Sequence, residues 1–402
     1  MKRYYDLLLK EHISKFRQMF FLAGPRQVGK TTCAKNLKEG TRQFHYFNWD
    51  WLPHRQLLMD THKLEEELRK TQMVEEGTEV VVFDEIHKMV GWKRFLKGFY
   101  DIYEKRFHIV VTGSARLNVY QKGGDSLMGR YFVYRMHPLT VAELLKPELS
   151  QFEINSPNLL QDSEWERLWK FGGFPEPFRE GSQEFYLRWS KLRHEQLFKE
   201  DIRDLEKIID VNRLEILAEM LKHQVGQLCS YHSLGQKIGV SIPTVKRWLS
   251  ILHSLFYSFS LQPWHENVPR SLIKESKYYL WDWSIVPEPG PRVENLIASH
   301  LLKAVHMWTD RGMGEYGLYY LRDKEKREVD FLVTKNQKPW MLVEAKKNQN
   351  KGVSKELYYF KEKTKAPYAF QVVYEMDYVH RNCFDYEEPI TVPARTFLSQ
   401  LI

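Results

Sequence analysis

Cysteine is scarce: Cys33, Cys229 and Cys383 are the three in 402 residues. They stand far apart with no CxxC pair, which excludes a zinc knuckle and a disulfide framework and fits a reducing compartment. No apolar run approaches the roughly 18 residues needed to span a bilayer. The basic start MKRYYDLLLKEH is followed by too few apolar residues for a signal peptide, so the chain reads as cytoplasmic and not membrane-bound. An NKxD guanine-reading motif is also missing.

What is there is an ordinary globular composition, 43% hydrophobic and 28% charged, in a chain long enough for two to four domains. Sixty Lys and Arg against 52 Asp and Glu leave a formal charge of +8, which favours polyanionic partners without requiring one. Many of the lysines alternate with glutamate, as in KLEEELRK, and read as solvated helix faces.

The segment MFFLAGPRQVGKTTCAKNL is an apolar strand, a loop of the form GxxxxGK[ST], and a helix pattern. Such a loop turns backbone amides toward phosphate oxygens, and the helix that follows adds its positive end. Gly24, Pro25, Arg26, Gln27, Val28, Gly29, Lys30, Thr31 and Thr32 are the expected nucleotide cradle. Lys30 would contact the outer phosphates, and the Thr31 hydroxyl would ligate Mg2+. A second signal, EVVVFDEIHK, is a buried-strand pattern with two carboxylates at its tip. Asp84 would hold Mg2+ through its water shell, and Glu85 would polarise the water that attacks the γ-phosphate. With no guanine motif, ATP is the expected nucleotide. A third strand, FHIVVTGSAR, offers Thr112 or Ser114 as a phosphate sensor with Arg116 just beyond, and Arg130 or Arg135 is a candidate arginine finger toward a neighbouring subunit. Strand-end turns and ordinary surface arginines account for the same residues equally well.

GPRQVGKTT, VVVFDEIHK, VVTGSAR, MGR followed by HPLTVAEL, and FGGFPEP together resemble the prokaryotic AAA-type ATPases that carry a C-terminal domain of unknown function with a restriction-endonuclease-like fold. KYYLWDW, VENLIASHLL and EVDFLV…LVEAKK follow in the order of that family. The resemblance spans nearly the whole chain. It implies an α/β multidomain protein with a P-loop AAA-type parallel sheet over 1–137, a helical lid over 138–226, a winged helix over 227–286 and a nuclease-like α/β domain over 287–402. A homo-oligomer, possibly a ring, is part of the same expectation. The family's roles are diverse, so no substrate follows from membership.

Within the winged-helix span, Leu234 and Ile238 sit one turn apart, Gly239 ends that helix, and Ser241 can cap a second with Val245, Trp248, Leu249 and Leu252 as its buried stripe. Thr244, Lys246 and Arg247 are on the exposed side, where they would meet DNA or a protein partner.

In the last third, PRVENLIASHLLKAV places Glu294 on the apolar face of a helix, where a carboxylate needs a partner. EVDFLVTKNQKPWMLVEAKK reads as a hairpin. With a two-residue loop at Asn336-Gln337, Asp330 would pair with Val343 and point away from Glu344; a three- or five-residue loop centred on Gln337 would set it opposite Glu344, with Lys346 on the same face. Glu294, Asp330 and Glu344-Ala345-Lys346 resemble the PD-(D/E)XK nuclease site. That resemblance implies Mg2+ held by Asp330, Glu344 and the Ala345 carbonyl, with Glu294 a metal or water ligand and Lys346 acting on the water or the transition state. The expected function is an ATP-hydrolysing, DNA-associated protein whose core controls a metal-dependent nuclease. The alternative is an ATP-driven switch or scaffold whose nuclease-like domain cleaves nothing.

Overall fold

The computed structural model describes residues 1–69, 78–113, 127–145, 148–202, 210–264, 275–348 and 352–402. Ser114 and Arg116 lie outside them. The chain divides into two units, residues 1–137 with 147–149, and residues 138–146 with 150–402.

The first unit is built on β1 (Met19–Ala23), β2 (Gln43–Asn48), β3 (Glu79–Asp84), β4 (Phe107–Gly113) and β5 (Tyr131–Arg135). These run parallel in the order β2-β3-β4-β1-β5. Every residue of β1 and β3 is buried, as strands covered on both faces must be, which is why MFFLA and VVVF carry no alternation. The helix Trp92–Tyr103 supplies Leu96 and Phe99 to a core that includes Phe21, Phe83 and Val111. Parallel pairing lines up the strand ends that matter: Ala23 lies opposite Gly113 on one side and Arg135 on the other, and Asp84 lies opposite Thr112. The glycine-rich loop after β1 and the acidic pair after β3 therefore share one edge of the sheet.

In the second unit, the helices Asp162–Phe171, Pro175–Glu180, Gln183–Gln196 and Val211–Lys222 precede a helix-turn-helix. Ser230 caps Tyr231–Ile238, Gly239 ends it in the left-handed conformation, and Ser241 caps Ile242–Ser254. Val245, Trp248, Leu249 and Leu252 are buried, as their spacing predicts. A two-stranded antiparallel pair follows, β6 (Ser258–Leu261) with β7 (Lys277–Leu280).

The remainder of this unit is a five-stranded sheet ordered β12-β11-β10-β9-β8, from β8 (Tyr316–Arg322), β9 (Glu328–Lys335), β10 (Lys338–Lys346), β11 (Tyr368–Val373) and β12 (Ile390–Pro393). β8, β9 and β10 are antiparallel neighbours, and β10, β11 and β12 are parallel. The helix Lys355–Thr364 makes the crossover that a parallel β10–β11 pair requires and buries Leu357 and Phe360 against Leu332 and Leu342. The 22-residue helix Pro289–Asp310 also packs on this sheet.

The β9–β10 turn resolves the register in a way neither sequence alternative anticipated. The loop is the two-residue Asn336-Gln337, with φ of 50° and 65°, and Lys335 pairs with Lys338. One residue, Trp340, is then extra between Pro339 and Met341, so that beyond it Phe331 pairs with Val343. Asp330 thereby comes level with Glu344 despite the short turn. Pro339 has no N–H to give to the ladder, and the Trp340 ring is taken up by Trp308, Tyr316 and Tyr368.

Among the described residues no helix is long and apolar enough to cross a membrane.

Candidate functional site

The loop from Gly24 to Thr31 is held by contacts that leave no room for other residues. A β-carbon on Gly24 would lie 2.4 Å from the Met136 carbonyl oxygen, and Gly29 has φ of +106°, where only glycine is at ease. Lys30 opens the helix Lys30–Asn36 and curls back, its ammonium donating to the Gly24 and Pro25 carbonyls at 2.8 and 2.6 Å. Arg3, which sequence reasoning passed over, is 5% exposed and donates to the Val28 carbonyl at 2.8 Å and the His137 carbonyl at 2.7 Å. Its guanidinium thus ties the loop to the chain that leaves β5.

Asp84 is 2% exposed and accepts three hydroxyls. Thr31 donates to Oδ2 at 2.9 Å, Tyr46 donates to the same oxygen at 2.5 Å, and Thr112 donates to Oδ1. Tyr46 on β2 was also missed; burial and the Asp84 carboxylate keep its phenol protonated far above the ordinary range. Glu85 follows in the left-handed region, φ 57°, its N–H donating to the Thr112 carbonyl at 3.0 Å. Its buried Oε2 has no hydrogen-bond partner among the described residues, with the His87 ring nitrogen at 3.6 Å and the Lys88 ammonium at 3.5 Å. Burial pushes the Glu85 carboxyl above its usual range, while Lys30 and Lys88 pull the other way. A carboxylate strained out of regular backbone and short of donors is available to a water.

Arg130 does not reach this edge within its own chain. It precedes Tyr131, which pairs with Met19 at the opposite end of the sheet, and its guanidinium is in an ion pair with Asp101 at 2.7 Å. Any action on a nucleotide is left to a second copy. Arg135 is the arginine at the nucleotide edge, opposite Ala23, where its carbonyl accepts the Tyr5 hydroxyl at 2.8 Å.

In the second unit the structure brings together the residues that the hairpin reasoning singled out. Asp330 Oδ2 accepts the Ala345 N–H at 2.9 Å, Lys346 pairs with Glu344 at 2.6 Å, and the Ser354 hydroxyl donates to the other Glu344 oxygen. Glu294 projects from the helix Pro289–Asp310 and accepts the Tyr279 phenol at 2.7 Å. The group at the middle was not expected. Lys277, 2% exposed at the start of β7, sets its ammonium 2.5 Å from Glu328, 3.6 Å from Glu294 and 3.7 Å from Asp330. Burial would lower the pKa of Lys277, but Glu294, Asp330 and Glu328 together raise it, so it stays charged. Burial and then Asp330 raise Glu294 to about 7 against the pull of Lys277 and the Tyr279 phenol, and burial raises Asp330 as well.

As arranged, these carboxylates do not fit a divalent ion. Such an ion needs converging oxygens at about 2.0–2.6 Å, and the space among Glu294, Glu328 and Asp330 is taken by an ammonium. Among the described residues no three His, Cys, Asp or Glu side chains are placed to hold a metal. Of the set expected to hold Mg2+, Glu294 and Asp330 thus lie beside Lys277, and Glu344 beside Lys346.

On the helix-turn-helix, Lys246 and Arg247 are exposed, Lys246 lies 5.4 Å from the Tyr231 ring, and the Thr244 hydroxyl is 2.9 Å from that of Ser241.

Residues 16–145 match a family model described as an AAA domain. The five-stranded parallel sheet and the glycine-rich loop both lie within that AAA-type match. Residues 162–288 and 289–388 match two models described as domains of unknown function, DUF8612 and DUF4143. Uncharacterized protein Rv2008c of Mycobacterium tuberculosis is 21% identical over 351 residues, 84% of this chain and 72% of that one. Uncharacterized protein MJ1544 of Methanocaldococcus jannaschii is 24% identical over 284 residues, 66% of this chain and 61% of that one. Among solved structures, the Aeropyrum pernix ORC1 protein in complex with DNA aligns with 74% of this chain and 93% of its own at 13% identity, with a TM-score of 0.32.

Proposed function

We propose that this is an ATP-hydrolysing, DNA-associated protein of the cytoplasm in which the AAA-type core controls a nuclease-like C-terminal domain, working as a homo-oligomer. One observation carries the hydrolytic reading: Thr31, Asp84 and Glu85 meet at the edge that holds the glycine-rich loop, with Thr31 already 2.9 Å from Asp84. The amides of residues 24–31 would cradle the phosphates, and Lys30 would exchange the Gly24 and Pro25 carbonyls for phosphate oxygens. Thr31 and Asp84 offer a hydroxyl and a carboxylate, oxygen ligands suited to the Mg2+ that accompanies ATP. That ion, when bound, shields the phosphate charge. Glu85 takes the proton of the attacking water. Ser114, outside the described residues, is retained as a candidate phosphate sensor.

For the second unit, the DNA reading draws on the capped helix-turn-helix with Thr244, Lys246 and Arg247 on its second helix, read as a winged helix, and on the meeting of Asp330, Glu344 and Lys346. A second reading makes the protein an ATP-driven switch or scaffold whose nuclease-like domain does not cleave. The position of Lys277 among the carboxylates favours it.

ATP turnover measured with and without single-stranded, duplex and branched DNA, with the DNA recovered from the same tubes, tests both. Stimulated turnover with Mg2+- or Mn2+-dependent products that Lys346→Ala abolishes supports the first reading. Intact DNA alongside steady ATP turnover supports the second.

A further inference from the structure

We infer that Lys277 is the resident cation of the Glu294–Glu328–Asp330 cluster, and that the cluster is an internal latch joining the β6–β7 hairpin to the C-terminal sheet rather than a divalent-metal centre. This inference rests on the non-cleaving reading.

Three observations converge. The ammonium lies within 3.7 Å of all three carboxylates and is 2% exposed, so the cation is built in and not borrowed from solvent. The same strand gives a second contact. Tyr279, two residues on and so on the same side of β7, donates to Glu294 at 2.7 Å. A third element packs against the cluster. Gly226 sits so close to Glu294 that a β-carbon there would be 2.5 Å from Oε1 and 2.6 Å from Oε2, and its N–H donates to the Tyr278 carbonyl at 3.2 Å. Charge is nearly balanced without any ion. Glu294, Glu328 and Asp330 face Lys277, and Glu328 also accepts Arg322 at 2.6 Å.

Next to this cluster the β6 segment continues the sheet edge: Trp264 N–H donates to the Tyr320 carbonyl at 2.9 Å, and Tyr320 N–H to the Gln262 carbonyl at 3.2 Å. The hairpin is therefore held to β8 by backbone bonds at one point and to β9 and the helix Pro289–Asp310 by Lys277 and Tyr279 at another. Removing Lys277 leaves three half-buried carboxylates facing one another without their shared cation, which loosens the contact between β7 and the sheet.

The test uses the full chain without nucleotide, so that the core holds no phosphate-bound ion. Mn2+ is titrated into the wild type and into Asp330→Asn while free Mn2+ is read by electron paramagnetic resonance, and hydrogen exchange is followed at 277–280 in Lys277→Met. The wild type is expected to show no Asp330-dependent Mn2+ site, and Lys277→Met to exchange its β7 amides at least about tenfold faster. Should Lys277→Met fail to fold, Lys277→Met with Glu328→Gln restores the charge balance and is expected to show the same faster exchange. An Mn2+ site that Asp330→Asn removes, or unchanged exchange at β7 in the folded variant, overturns the inference. DNA cleavage in the same preparation would instead bring down the non-cleaving reading. An Mn2+ site without cleavage sinks the latch alone.

Discussion

Tyr46 on β2 and Asp84 on β3 are joined by a 2.5 Å hydrogen bond, on the same carboxylate oxygen that accepts Thr31 at 2.9 Å. Were Thr31 to turn to a bound ion, Tyr46 and Thr112 would still hold Asp84 in place. Tyr46→Phe should therefore leave nucleotide binding in EDTA unchanged and lower kcat about tenfold, the worth of one hydrogen bond to a charged group. Fluorescent-nucleotide binding beside steady-state turnover at varied Mg2+ decides it; unaltered turnover would show that the two threonines suffice.

Glu85→Gln should retain ATP and reduce hydrolysis at least about a hundredfold, the usual contribution of a positioned base. The pH profile carries the sign. Because burial raises the Glu85 pKa, its proton is held to higher pH than in an ordinary glutamate, so turnover should climb with pH along a limb displaced above the usual carboxylate range. A rate flat from pH 5 to 8 would count against Glu85 as the base.

The Lys303 ammonium and the Glu143 carboxylate form an ion pair with both side chains wholly buried, and Lys303 also donates to the Pro138 carbonyl at 3.0 Å. Lys303→Met alone should cost about 3–5 kcal/mol, because it removes the counter-charge that Lys303 gives the buried Glu143 carboxylate. Lys303→Met with Glu143→Leu should recover most of that loss. Denaturant midpoints of the two variants give the comparison.

His300 accepts the Val141 N–H at Nε2, 3.2 Å away, and its Nδ1 lies 2.8 Å from the Leu296 carbonyl, so it is held neutral. Burial lowers its pKa from 6.5 to about 3. As pH falls below 6.5 the unfolded chain takes up this proton and the folded chain does not. Its contribution to stability, fully present above 6.5, should decline by about 1.4 kcal/mol per pH unit toward pH 3. Unfolding midpoints from pH 7 to 4 should slope less in His300→Gln than in the wild type; equal slopes would clear His300.

The edge that gathers the glycine-rich loop with Asp84 and Glu85 was legible because its signals are local. A GxxxxGK[ST] loop after an apolar strand, and VVVF ending in Asp84 and Glu85, need no knowledge of neighbours. The helix-turn-helix was legible for the same reason, through Gly239 and Ser241 at its helix ends. What escaped depends on which elements end up adjacent. Tyr46 sits in QFHYFN, an unremarked strand until β2 lies beside β3. Lys277 reads as the polar start of KYYL, and nothing nearby in sequence says that three carboxylates surround it. Arg3 precedes the helix Tyr4–Lys15 and reads as part of a basic end until Val28 and His137 are seen to need its donors. Arg130, expected to act toward a neighbouring subunit, lies within its own chain at the end of the sheet away from the glycine-rich loop and pairs with Asp101.

Trp340 makes the β9–β10 hairpin depend on one unpaired residue for what faces what. Most surface turns absorb an added or lost residue with little effect on what they connect. Here the bulge itself carries the alignment: a ladder that drew Trp340 into regular pairing would bring Val343 up beside Asp330 and drive Glu344 and Lys346 to the other face.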